Sequence, residues 1–147
     1  MDEARALAAS AGARGEVPVG AVVVFGGDAI GSGVNRIEAE AEASRHAEME
    51  ALQTAARRRG DWRLDGCTLF VTLEPCPMCA GLAILARVDR IVFGARDPRL
   101  GACGSVLDLT ADPRMPHRPR VDGPVDEERC GELLRAFFRN VRRRGDR

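Results

Sequence analysis

The chain contains no lysine: all 22 of its basic residues are arginine. Every cation is therefore a planar fork suited to phosphate or stacked bases, not a compact ammonium. Excess charge is also missing. The 22 basic residues face 22 acidic ones, so global charge selects no partner. No apolar run is long enough to span a bilayer, which excludes a membrane helix. The opening "MDEARALAAS" is acidic at once and lacks the basic-then-apolar layout of a signal peptide. The expected compartment is the cytoplasm. Repeats and linkers are absent, so residues 1–147 are read as one domain. A chain of ~150 residues hides about two-thirds of its unfolded surface and needs no staples. The five cysteines, an odd number, are thus read as metal ligands, redox groups or core residues rather than a disulfide framework.

What is present reads as alternating strands and helices. "DEARALAASAGARG" has no helix breaker until Gly12 and predicts a short helix. "VGAVVVF" and "DAIGSGVN", joined by Gly26-Gly27, predict a β-hairpin. "EAEAEASR" reads as an acidic connector. A helix is expected from about His46 to Arg59, with Met49, Leu52 and Ala56 at core spacing. "CTLFVTL" is a strand, "PMCAGLAILARV" a helix with Pro77 in its first turn, and "DRIVFGA" a strand. A short edge strand is expected near Val121, and "DEERCGELLRAFFRNVRRR" closes the chain as a helix. This order gives an α/β domain: a mixed sheet with helices on both faces. Asn35 and Leu73 end two strands just before the two most informative helices, where ligands of open α/β sheets gather.

Those helices carry His46-x-Glu48 and Pro75-Cys76-x-x-Cys79. Cys76 and Cys79 fall on one side of one helical turn, at a helix N-terminus that favours thiolates. His46 opens the other helix. One neutral imidazole and two thiolates close three corners of a zinc tetrahedron and leave the fourth for water. Glu48 can reach that open side and exchange a proton with the activated water. Blander readings stand beside this one: a redox Cys-x-x-Cys pair, a dipole-stabilising Glu48, a capping His46. A closed four-ligand site completed by Cys103 or His117 is a further alternative. Cys67 and Cys130 read as small core residues.

His-x-Glu followed by Pro-Cys-x-x-Cys is the signature of zinc nucleobase deaminases. The stretches "EVPVGAVVV", "VNR", "HAE", "TLFVTLEPCPMCAG", "RIVFGARDPRLGACGS" and "FFRNVRRR" further resemble bacterial tRNA-specific adenosine deaminases of the TadA type. The resemblance runs almost from end to end. It implies a three-layer α/β/α cytidine deaminase-like fold with about five strands in a mixed sheet. It implies one Zn²⁺ per chain on His46, Cys76 and Cys79, with Glu48 as proton shuttle. The implied reaction is hydrolytic deamination of adenosine to inosine at the wobble position of a tRNA anticodon stem-loop. Asn35 would hydrogen-bond the flipped base, its amide supplying donor and acceptor together. Asp97 would hold the neighbouring ribose or backbone, against a plain turn-capping role. Backbone groups near Ala47 and Pro75 would steady the exocyclic amine and the attacking oxygen. Phe137, Phe138 and Arg139, with Arg142, Arg143 and Arg144, would meet RNA, although a core stripe explains both rings without it. A homodimer is implied as well. The acidic connector, with Glu38, Glu40 and Glu42, departs from the family's usual lead-in and is expected to point away from RNA. Two alternatives remain open: a free-base deaminase for guanine or cytosine, and a non-catalytic zinc subunit.

Overall fold

A computed structural model describes the backbone of residues 1–145 and the side chains through Arg143; the side chain of Arg144 lies outside the described residues. The first helix, α1, spans Asp2–Ala13. Strands β1 (Gly20–Phe25) and β2 (Asp28–Val34) form the expected hairpin around Gly26-Gly27. β3 (Thr68–Leu73) runs antiparallel to β1 and parallel to β4 (Arg90–Ala95). The expected edge strand exists as β5 (Arg120–Asp122), parallel to β4. The result is one mixed five-stranded sheet in the order β2-β1-β3-β4-β5.

Register fixes which helix covers which face. Gly20 pairs with Val34 and Gly33 with Ala21, so Gly20 and Gly33 point to opposite sides of the sheet. A Cβ on Gly20 would meet the Ala4 carbonyl of α1 at 2.2 Å. One on Gly33 would meet the Ala47 carbonyl at the same distance. Ala47 opens α3 (Ala47–Arg59), so α1 and α3 cover opposite faces at close backbone approach. α4 (Pro77–Leu85) packs beside α3, and α5 (Glu127–Gly145) packs beside α1 and over β4. Three layers follow, with fully buried Val23, Leu69, Val71 and Ile91 and nearly buried Phe93 in the sheet.

Two local readings change. The acidic connector holds one helical turn, α2 (Ile37–Glu40). The N–H groups of Glu38 and Ala39 there donate to the buried Glu16 carboxylate at 3.2 and 2.8 Å. Orphan N–H groups at a helix start need acceptors, and this one comes from 22 residues upstream, where no local pattern reveals it. α4 stops at Leu85 rather than running on to Val88, because Arg87 turns to a positive φ of 61°.

Candidate active site and metal centre

His46 and Cys76 occupy equivalent places. Each is the extended residue that caps a helix, His46 for α3 and Cys76 for α4. Pro77 follows Cys76 at the first helical position, where a missing N–H does no harm. One turn on, Cys79 faces the same way. His46 Nδ1 lies 3.7 Å from Cys76 Sγ and 3.5 Å from Cys79 Sγ. All three ligand atoms lie within 4.8 Å of one another, and among the described residues no fourth His, Cys, Asp or Glu joins them.

The donor set fits zinc. With Zn–S near 2.3 Å and Zn–N near 2.0–2.1 Å, a tetrahedral edge between sulfur and nitrogen is about 3.6 Å. The protonation chemistry agrees. Hydrogen bonding from Cys79, helped by His46, brings the Cys76 thiol down to about 4. The Cys79 thiol is pushed up by its bond to Cys76 and by burial, and His46 is raised chiefly by Cys76. The three groups compete for protons at close range, a competition that a divalent cation removes by binding both sulfurs as thiolates. The closed-site alternative does not form. His117 places Nε2 2.7 Å from the Val88 carbonyl, and Cys103 is buried with its thiol pushed up to about 12, first by that burial.

A pocket of about 400 Å³ opens on this cluster. His46, Cys76, Glu48 and Asn35 line it, with Leu73 and Glu74 from the end of β3 and Arg96 to Leu100 from the following loop. Glu48 is only 4% exposed, and burial pushes its carboxyl up to about 7. Such a group can hold or release a proton near neutrality. Leu134 and Phe138 of α5 complete the wall.

The expected contacts are placed unevenly. Asn35 is buried and faces the pocket, but its Oδ1 accepts the Ala47 N–H at 3.0 Å. The expected donor-plus-acceptor face is thus reduced: one acceptor site of Oδ1 is taken, which leaves the amide NH₂ as the main group for a ligand. The same bond occupies the Ala47 N–H. The Pro75 carbonyl accepts the Ala102 N–H at 2.8 Å, and neither Ala47 nor Pro75 lines the pocket. Asp97 lines it, yet its Oδ1 accepts the N–H groups of Arg99 and Leu100 at 2.9 and 3.3 Å. The turn-capping role is therefore real.

Phe137 packs edge-on against Phe138, with centroids 5.4 Å apart. Phe138 faces both the pocket and an adjacent groove that includes Arg99, Arg139 and Arg142. Arg139 there pairs with Glu132 at 2.5 Å. In the connector, Glu40 is held by Arg36 and Arg45, and Glu42 lies 4.0 Å from Arg45.

Sequence reasoning passed over Glu74. It is 2% exposed and accepts four hydrogen bonds from the loop that follows β4. Its one signal is an acid closing the apolar run "TLFVTLE".

An α/β/α sandwich that sets one imidazole, two sulfurs and a buried carboxyl around one pocket defines a zinc-dependent deaminase domain. The family model described as "Cytidine and deoxycytidylate deaminase zinc-binding region" matches residues 1–95. The tRNA-specific adenosine deaminase of Bacillus subtilis is 46% identical over 144 residues, covering 98% of this chain and 89% of that protein. A solved structure from a study of A-to-I editing by tRNA:A34 deaminases at the wobble position of transfer RNA superposes with a TM-score of 0.88. It is 40% identical and covers 91% of this chain and 97% of its own. The guanine deaminase of Bacillus subtilis superposes with a TM-score of 0.62 at 34% identity, covering 65% of this chain and 61% of its own. The chain belongs to the tRNA-specific adenosine deaminase family.

Proposed function

We propose that this protein deaminates adenosine to inosine at the wobble position of a tRNA anticodon. The observation that carries the reading is the shared pocket. His46 and Cys76 of the three-donor cluster, the buried Glu48 carboxyl and the Asn35 amide line the same cavity, Cys79 lies directly behind it, and α5 closes it with Phe138. His46, Cys76 and Cys79 hold one zinc per chain. When bound, the metal acidifies a water and so supplies the nucleophile for adenine C6. Glu48 takes a proton from the attacking water and delivers it to the ring nitrogen beside C6. A second proton passes through Glu48 to the exocyclic amine, which leaves as ammonia. The Asn35 NH₂ donates to a ring acceptor and holds the base edge-on to Glu48. A flipped base costs little where the loop is already single-stranded.

Phe138 and the arginine-bearing groove beside it supply the RNA surface, Phe138 by stacking and Arg139 and Arg142 by phosphate contact. Phe137 buttresses Phe138. The protein works in the cytoplasm as a homodimer. The exposed apolar face of Trp62, just after α3, and Leu85, at the end of α4, which are 57% and 63% exposed, suits a second copy. No helix among the described residues is long and apolar enough to cross a membrane.

The test is direct. The zinc-loaded protein is incubated with an anticodon stem-loop carrying wobble adenine, and separately with free adenine, guanine and cytosine. Inosine and ammonia from the stem-loop, with none from the free bases, is the expected result. Ammonia from guanine or cytosine and none from the stem-loop reverses the reading in favour of a free-base deaminase.

A further inference from the structure

Glu74 carries a role that the proposed chemistry does not use. Its Oε1 accepts the N–H groups of Cys103 and Ser105, each at 3.0 Å. Its Oε2 accepts the Asp97 N–H at 3.1 Å and the Ser105 hydroxyl. Two carboxylate oxygens offer about four acceptor sites. All four are filled by one loop, so the carboxylate has no capacity left for a substrate. The loop it holds is the pocket's rim: anchored Asp97 lines the cavity, as do Arg99 and Leu100, which lie between Asp97 and Cys103.

The opposite side of the contact is equally constrained. A Cβ on Gly101 would fall 2.5 Å from the Glu74 carboxyl carbon and 2.6 Å from the Asp97 carbonyl. The loop therefore closes against the carboxylate with no room for a side chain. A buried acid with four loop donors is rigid, because releasing any donor leaves a buried polar group unpaired.

We propose that Glu74 is a positioning residue that moulds the loop of residues 96–105 into the substrate-binding rim, and so governs substrate affinity rather than the chemical step. The inference rests on the deaminase reading above. Hydrogen bonding separates the two functions: Glu48 stands beside the three-donor cluster, while Glu74, although it borders the pocket, spends its carboxylate on backbone N–H groups and the Ser105 hydroxyl.

The experiment compares the zinc-loaded full chain with Glu74→Gln, Glu74→Ala and Gly101→Ala. Zinc per chain, kcat and KM on the wobble-adenine stem-loop, and amide exchange at Asp97, Cys103 and Ser105 are measured. In Glu74→Ala, KM is expected to rise roughly 10-fold or more with kcat within about 3-fold, the split that marks lost binding. Zinc stays near one per chain, and all three amides lose protection. Gln keeps one oxygen toward Cys103 and Ser105 but turns a donor toward Asp97. Its effect should be intermediate, with exchange lost first at Asp97. Gly101→Ala perturbs the same contact without touching the acid and should reproduce the KM rise. An active, zinc-loaded Glu74→Ala with unchanged KM, or a fall in kcat alone, overturns the proposal. A wild-type protein that leaves the stem-loop unconverted overturns the deaminase reading instead, while amide exchange still reports whether Glu74 holds the loop.

Discussion

Asn35 accepts the Ala47 N–H through Oδ1 at 3.0 Å, which ties the residue after β2 to the first turn of α3. One amide thereby has two duties. Its oxygen fixes the helix that carries His46 and Glu48, and in the proposed reaction its nitrogen would hold the base. The two duties separate by substitution. Asn35→Ala leaves a buried N–H unpaired and should cost about 1–3 kcal/mol in urea denaturation. Asn35→Asp keeps the acceptor and should recover most of that loss. Neither variant keeps the NH₂ donor, so both should lose activity. An Asp variant that regains full kcat/KM would remove the proposed base contact.

Thiol reactivity should follow zinc. Of the five cysteines, Cys76 alone is not buried. In the proposed site metal coordination would occupy its sulfur, and chelation would free it. Alkylation followed by mass spectrometry should therefore show little labelling of the zinc-loaded protein. After chelation, Cys76 should label first. Cys103, with its thiol pushed up to about 12, and Cys130, pushed up to about 11, should lag. Labelling of Cys76 at the same rate with and without zinc would remove it from the ligand set.

The parts legible in the sequence are those with a local period or a fixed spacing. The Gly-Gly hairpin, the β-branched strands and the His-x-Glu and Pro-Cys-x-x-Cys pairs all lie within short windows, and all appear in the fold where they were expected. What stayed hidden joins distant segments. Glu74 reaches Cys103 and Ser105 across 29 and 31 residues, and Glu16 reaches α2 across 22 and 23. Their partners are backbone N–H groups, which every residue but proline carries, so no residue type marks the pairing. The same blindness applies to Asn35. Its place beside the pocket was legible, but the Ala47 N–H that its oxygen accepts was not.

The ion pairs of α5 bear on RNA affinity. Glu132 Oε1 takes Arg139 at 2.5 Å and its Oε2 takes Arg135 at 3.0 Å. Exposed pairs of this kind are screened by water and salt and contribute little, so a phosphate can displace the acid. Glu132→Gln should leave thermal stability nearly unchanged, tighten stem-loop binding and steepen its salt dependence. Arg139→Ala should weaken binding and reduce the slope of log affinity against log salt by about 0.7–1. Titrations at several salt concentrations check both. An unchanged slope in both variants would place Arg139 outside the RNA surface.

Glu48 separates a working zinc site from a silent one. It is the second residue of α3, buried to 4% exposure, and outside the group of three ligand atoms. A structural metal site gains nothing from a buried carboxyl that must be desolvated. Glu48→Gln keeps the shape and the hydrogen-bonding capacity but cannot carry the proton. Metal analysis should still find about one zinc per chain, and turnover of the stem-loop should fall by about 10²–10⁴, the usual contribution of a positioned proton carrier. KM should move little, since the pocket walls are unchanged. His46→Ala should instead lose the metal itself, because only two donors of the cluster remain. If Glu48→Gln loses zinc as His46→Ala does, Glu48 is a ligand and the proton shuttle falls. If it keeps both zinc and turnover, the proton travels by another group, and Glu48 has a purely structural role.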